Sequence, residues 1–284
     1  MLHILEHSII DSLKLLPFLF LTYFIIELIE HKTGDKSKEF IKKSGRFGPL
    51  IGSLVGIFPQ CGFSVSATTL YASRVITLGT LISVYLSTSD EMLPILISES
   101  VPIDTILKIL AIKIFIGMLT GFILDLFLFS VKKKAVEENK IEELCKHDHC
   151  HCENGLLKSS IKHTLNVFIF ILIITLLLNS LIHIIGEENL ANFILNKPIL
   201  GPIISGLIGL IPNCASSVIL TQLYLSNVIT VGTMLGGLLV NSGVALIILF
   251  KINKNLKENL SVIGILYIVG VLSAIIMNFI NLSF

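Results

Sequence analysis

The chain has 284 residues, 53% of them hydrophobic and 14% charged, with a mean hydropathy of +0.88. A soluble domain of this size does not sustain that balance, so the chain reads as an integral membrane protein whose first partner is the bilayer. The net charge of +1 says little about partners, because in a membrane chain the informative quantity is where the lysines lie, and no tail suggests nucleic acid.

The first apolar run, 9–30, has the roughly 20 residues that cross a hydrocarbon layer. It lacks the basic start and small-residue cleavage site of a signal peptide, and an equivalent run, 163–185, lies inside the chain. Both therefore read as spans. With no tryptophan present, the interfacial aromatic belt rests on Tyr and Phe. A polar stretch with Lys32, Lys36, Lys38, Lys42, Lys43 and Arg46 follows the first span.

Two apolar pieces, 48–58 and 63–73, come next, separated by Pro59-Gln60-Cys61-Gly62. At about 1.5 Å of rise per residue each measures about 15–18 Å, half a bilayer core. Proline cannot continue the helix ladder and Gly62 permits a sharp turn, which predicts a re-entrant hairpin with its tip near the midplane. Arg74, at the base of the hairpin, reads as an anchor. A span from 75 to 98 follows, interrupted at Ser87-Thr88-Ser89-Asp90-Glu91 and by Pro94, and then a last helix over 107–130.

The same order recurs. A shift of 153 positions lays Ile211-Pro212-Asn213-Cys214-Ala215 over Phe58-Pro59-Gln60-Cys61-Gly62, with 20 of the 42 positions from 48 to 89 identical. Residues 1–131 and 154–284 are thus expected to be two membrane repeats joined by a link at 132–153. The second repeat has its own break at Asn241-Ser242-Gly243 and a last helix expected over 260–283.

Lysine bias sets the expected orientation. Segments 31–46, 132–162 and 251–257 hold 16 of the 21 Lys and Arg residues, which places them in the cytoplasm and both termini outside. The second repeat then runs upside down relative to the first. The expected fold class is an all-α integral membrane protein of two inverted-topology repeats, each with three spanning helices and a broken re-entrant hairpin, about ten helices in all. Such folds bind their substrate where the broken helices meet near the midplane. The alternative is ten short full spans with Cys61 and Cys214 at opposite surfaces.

Cys61 and Cys214 follow helix-breaking prolines at repeat-related tips, and thiolates select soft metals and metalloids. As plain buried residues they are small apolar fillers. Gln60, Asn213, Ser64 and Ser217 surround the tips, where polar groups in lipid line a cavity or bond between helices. Asp90 and Glu91 are adjacent acids inside an apolar span, a pattern suited to ion ligation or proton transfer; Asn241 stands at the same break in the second repeat. The bland alternative is a helix that ends early and leaves both acids in an external vestibule.

The link carries Cys145, His147, His149, Cys150, His151 and Cys152, enough ligands for zinc or a similar ion in a buffering or regulatory role. A disordered polar linker is the plain alternative. On the cytoplasmic side its thiols stay reduced. No resident cofactor is expected within the membrane.

At these motifs the chain resembles a family of ten-helix heavy-metal exporters, bacterial membrane proteins described variously as arsenic efflux proteins or manganese transporters. The likeness rests on the duplicated Gly-x-x-Pro-x-Cys signature, Gly56 to Cys61 and Gly209 to Cys214, and on the Ser-Thr-Ser-Asp-Glu-Met-Leu-Pro run from 87 to 94. It implies a transporter, not an enzyme, in a bacterial cytoplasmic membrane, exporting a metal or metalloid ion. No Gly-x-x-x-x-Gly-Lys-Ser/Thr loop occurs, so ATP-driven pumping needs another chain. A carrier of small organic anions is the second expectation. An intramembrane enzyme is the third, opposed by the lack of a histidine near either membrane cysteine to serve as base. A homo-oligomer is compatible with all three.

Overall fold

The computed structural model describes residues 47–58, 61–89, 91–131 and 199–280, with isolated helical positions between 16 and 24 and between 161 and 173; the side chains at 61, 128–131, 214 and 215 are excepted. Most of each first span, both basic and link segments, Pro59, Gln60 and Asp90 lie outside the described residues.

Within them the chain is helical throughout. The first unit contains α1 (Gly48–Gly56), α2 (Cys61–Ala72), α3 (Leu78–Ser87), α4 (Met92–Ser98) and α5 (Ile103–Val131). The second contains α6 (Leu200–Gly209), α7 (Cys214–Leu225), α8 (Val231–Val240), α9 (Ala245–Ile252) and α10 (Leu256–Phe279). The breaks fall where Pro59, Pro212, Ser87–Glu91 and Asn241–Gly243 predict them. Pro94 does not interrupt anything: it is the third residue of α4, where the ladder requires no amide hydrogen. The long closing helices each begin four residues earlier than expected, at Ile103 and Leu256. Asn255 caps α10 by accepting the Glu258 amide, a local signal that outweighs the hydropathy edge.

Burial sorts the helices into a centre and a sheath. Ile103–Phe127 and Leu256–Phe279 are long and apolar enough to cross a membrane, yet only 28% and 33% of their most apolar windows are buried. The broken stretch Val231–Ile252 is equally apolar and 89% buried. On α5, Phe115, Leu119, Ile123 and Leu126 are exposed, and their repeat mates Ile268, Leu272, Ile276 and Phe279 are exposed on α10. Spacing of three and four residues puts each set on one helix face. An apolar stripe of that length belongs against lipid tails. By contrast, every residue of α3 from Gly79 to Ser87 and every residue of α8 is buried.

Inside each unit α3 lies between α1 and α5, and α8 between α6 and α10. These contacts are close because the facing residues are small, the usual basis of helix association in lipid. A Cβ placed on Gly79 would stand 2.2 Å from the Gly121 carbonyl oxygen and 2.5 Å from the Asp125 carboxylate. The same corner is pinned by hydrogen bonds. Thr77 caps α3 by accepting the Thr80 amide and donates its hydroxyl to Asp125 Oδ2 at 2.8 Å, while the Gly79 amide donates to Asp125 Oδ1 at 3.0 Å. In the second unit Thr230 caps α8 and donates to Asn278 Oδ1 at 2.7 Å.

Between units the packing is reciprocal. α2 of the first lies on α9 of the second, α7 of the second lies on α4 of the first, and α3 meets α8. The two units thus exchange contacts between corresponding elements. Helices α2 and α7 end alike, with Arg74 and Asn227 at φ 60° and 58°. The Val75 amide donates back to Leu70 O and the Val228 amide to Leu223 O, the left-handed closure that satisfies final-turn carbonyls.

One end of the interface is clamped. Arg74 Nη1 and Nη2 donate to Glu258 Oε1 and Oε2 at 2.6 and 2.7 Å. The guanidinium also lies 5.3 Å from the Tyr71 ring centroid, and the Tyr71 hydroxyl donates to Glu258 Oε1. Hydrogen bonds to Glu258 raise the Arg74 pKa above the ordinary arginine value, so the guanidinium is a permanent charge. The anchor is therefore a fork between the units.

Two outcomes follow for stability in detergent. Gly79→Ala forces α3 off α5 and is expected to destabilise by about 1–3 kcal/mol, whereas Gly264→Ala, with nothing within 4 Å of its added Cβ, is expected to be neutral or stabilising; thermal unfolding of the two variants measures the contrast. Arg74→Ala leaves Glu258 half-buried without its countercharge and is expected to cost roughly 2 kcal/mol, with Glu258→Gln losing less; equal melting of Arg74→Ala and the parent would remove the clamp from the account.

Candidate polar centre between the two units

Full burial of α3 and α8 makes the polar groups at their broken ends expensive to leave unsatisfied, because no water reaches them in a hydrocarbon layer. The structure connects them in a chain. Thr68 Oγ1 donates to Ser64 O at 2.7 Å, so the Tyr85 hydroxyl, 2.5 Å away, is the donor to Thr68. Thr88 Oγ1 donates to Val84 O at 2.8 Å, so Ser64 Oγ donates to Thr88 across 2.9 Å. The first turn of α2, where Cys61 is the leading residue, is thereby tied to the end of α3.

The chain ends on a charge. Lys113, near the middle of α5, is fully buried. Its Nζ donates to the Thr88 carbonyl and, at 3.2 Å, to the Leu238 carbonyl of the second unit. One ammonium thus closes the last turns of both central helices, whose carbonyls carry the negative end of the helix dipole. Motif spacing does not single out Lys113. The signal was a single lysine in the interior of an apolar span, and an ionisable residue there is a site candidate by default.

The predicted residues are placed as follows. Ser64 lies in the first turn of α2 and Ser217 in the first turn of α7, both buried. Asn213 is buried just before α7, and its carbonyl accepts from Ser216 Oγ at 2.7 Å. Asn241 follows the last residue of α8, and its Oδ1 accepts from the Gly243 amide at 2.9 Å, shaping the break. Ser242 is buried beside it, with a hydroxyl that has no hydrogen-bond partner. Glu91 occupies the position before α4 and is half-buried.

Cys61 and Cys214 head α2 and α7, with their side chains outside the described residues, as are Gln60, Asp90 and the link residues Cys145, His147, His149, Cys150, His151 and Cys152. Among the described residues no three His, Cys, Asp or Glu side chains converge. The oxygen groups at the two breaks are hydroxyls, carboxamides and backbone carbonyls, ligand types that suit hard or borderline cations.

Comparison with known proteins adds the family. No curated protein and no solved structure matches the chain. A family model described as "Putative, 10TM heavy-metal exporter" matches residues 4–186, which takes in the first unit, the link and the first span of the second. The buried broken helices, the lipid-facing sheath and this match together place the chain in that ten-helix heavy-metal exporter family of multi-pass membrane proteins.

Proposed function

We propose that the chain is a secondary transporter that carries a metal or metalloid ion out of a bacterial cell across the cytoplasmic membrane. Two inverted units rock against each other around a site at the helix breaks. The observation that carries this reading is the reciprocal packing of α2 on α9 and α7 on α4 around two broken, wholly buried helices. A chain immersed in lipid gains nothing in stability from interrupting its central helices. Interruption makes sense where freed carbonyls and polar side chains receive an ion.

Lysine bias supports a cytoplasmic placement for the link 132–162 and for Lys251, Lys254 and Lys257, with the termini outside. The Arg74–Glu258 fork, next to those lysines, then closes the cytoplasmic end of the interface. Its repeat-related positions, Asn227 and Thr105, carry no charge, so the fork is not repeated at the corresponding positions. Opening toward the cytoplasm requires breaking the fork; opening outward does not.

The residues assigned to the ion are Cys61, Cys214, Gln60, Asn213, Ser64, Ser217, Asp90, Glu91 and Asn241. Oxygen ligands with one softer partner suit manganese or another divalent cation, while paired thiols suit arsenite. A carrier of small organic anions is the second reading, favoured by one observation, the buried Lys113 ammonium. Zinc or a similar ion on the link would regulate and not be transported.

Elemental mass spectrometry of cells with and without the protein, challenged with manganese, zinc or arsenite, tests the reading: the expressing cells are expected to hold several-fold less of one element. Replacing both membrane cysteines, Cys61→Ser with Cys214→Ser, is expected to abolish that difference for a soft ion; unchanged export with both serines favours hard-ion or organic-anion carriage. The double variant Asp90→Asn with Glu91→Gln is expected to uncouple export from the pH gradient, measured as ion flux into vesicles with and without an imposed gradient. Normal gradient-driven flux in that variant would rule out proton coupling through these acids.

A further inference from the structure

Ser242 differs from the other polar groups at the two breaks. It is 1% exposed, and its Oγ has no hydrogen-bond partner. Burying a hydroxyl in that state costs free energy that an alanine of nearly the same size would avoid. An unsatisfied group at this depth therefore marks a place where a ligand belongs. Its repeat mate does not share the condition, because Ser89 Oγ donates to Ser87 O at 3.2 Å.

The groups around Ser242 indicate which kind of ligand. The oxygens of the second break are held by the chain itself: Gly237 O accepts from the Asn241 amide at 3.0 Å, Leu238 O from Lys113 Nζ at 3.2 Å, Asn241 Oδ1 from the Gly243 amide at 2.9 Å and Ser242 O from the Ala245 amide at 3.3 Å. Gly243, at φ 56°, then turns the backbone into α9. The helix starts buried at Ala245 and Leu246, and no side chain caps it, since Val244 occupies the cap position. Ser242 comes two residues too early to serve as the cap. The bond from the Ala245 amide to Ser242 O nevertheless draws Ser242 against that first turn.

An uncapped helix start presents amide hydrogens and the positive end of the helix dipole. Beside it stands a hydroxyl with a hydrogen to give. Donor groups at full burial call for an acceptor, and the helix end favours one that is negative. The first break is of the opposite sign: it carries Asp90 and Glu91 at the positions of Gly243 and Val244.

We propose that the start of α9, together with the Ser242 hydroxyl, is a seat for an anionic oxygen of the transported substrate, supplied by a metalloid oxyanion or by the carboxylate of an organic anion. This rests on the reading of the chain as a transporter and narrows its substrate to a species that presents such an oxygen. Ser242 Oγ donates to that oxygen, and the first turn of α9 supplies the positive field around it. A bare divalent cation gains nothing from this seat. Because α9 packs on α2 of the first unit, the anion is held by an element of the interface between the units, and movement of the units changes its surroundings.

Arsenate, acetate and manganese(II) chloride are the probes, with the purified full chain in detergent for binding and in vesicles for flux. The parent is expected to bind at least one of the two anions; arsenate alone assigns the seat to a metalloid oxyanion, acetate alone to an organic anion, and both together to the chemistry they share. Ser242→Ala removes one hydrogen bond to a charged acceptor and is expected to weaken anion binding about tenfold or more. Since the hydroxyl it deletes has no partner in the empty protein, the same variant is expected to melt at or above the temperature of the parent. A serine with a structural role would lower it. Ser89→Ala is expected to bind the anions as the parent does.

A Ser242→Ala variant that binds both anions like the parent, or that melts well below it, overturns the seat, as does a Ser89→Ala variant weakened to the same degree. A parent that binds neither anion but exports manganese also overturns the seat, while the transporter reading stands. A parent whose anion binding depends on Ser242, yet which moves neither anion nor manganese across vesicles, overturns the transporter reading and leaves the seat.

Discussion

A helix broken inside a hydrocarbon layer must satisfy its freed amides and carbonyls from within the chain. That constraint explains most of what is unusual here. Two central helices end in polar residues at full burial, and each end is closed by something the chain brings to it: Ser64 from α2 and Lys113 from α5 at the end of α3, Lys113 again and Asn241 at the end of α8. The long helices α5 and α10 take the opposite role. They are regular, their faces toward lipid are apolar, and they hold the broken elements through contacts that only small residues permit.

The duplication made much of this legible. The repeat match located α1–α4 and α6–α9 because the breaks carry residues that cannot be helical interior, Pro59 and Pro212, or that accompany a polar interruption, Ser87–Glu91 and Asn241–Gly243. Pro94 was misread for a related reason. Proline signals interruption only when the preceding turn is helical, and here Glu91 starts a new helix, leaving Pro94 in the tolerated first turn. The starts of α5 and α10 were placed late because hydropathy marks where apolar residues begin, while the helix is set by its cap, as Asn255 shows.

The site was legible in part. Ser64, Asn241 and Asn213 sit at the breaks as their spacing implies. Lys113 escaped because repeat comparison rewards what the units share, and its mate is Leu266. Arg74 was visible as a cation at a helix end, but its partner Glu258 lies 184 positions on, and no local pattern links them.

What the units do not share deserves the final weight. The scaffold residues repeat: Thr77 with Thr230, Gly79 with Gly232, Tyr71 with Tyr224. The charges do not. Arg74, Asp90, Lys113 and Asp125 of the first unit meet Asn227, Gly243, Leu266 and Asn278 in the second. The shared positions are thus structural, while at these four the first unit carries a charged residue where the second carries none. In the inverted-repeat transporter proposed above, a two-fold relation would make the inward-open and outward-open arrangements nearly equal in packing, because exchanging the units' conformations would exchange one state for the other. Charges that differ between corresponding positions would break that equality. The fork at Glu258 weights one arrangement, and an ammonium anchored on the first unit but bonded to a carbonyl of the second weights whichever state keeps Thr88 and Leu238 together. In that proposed transporter, a substrate would shift the balance only by the difference between its interactions in the two arrangements, and that difference is the free energy available to move the units.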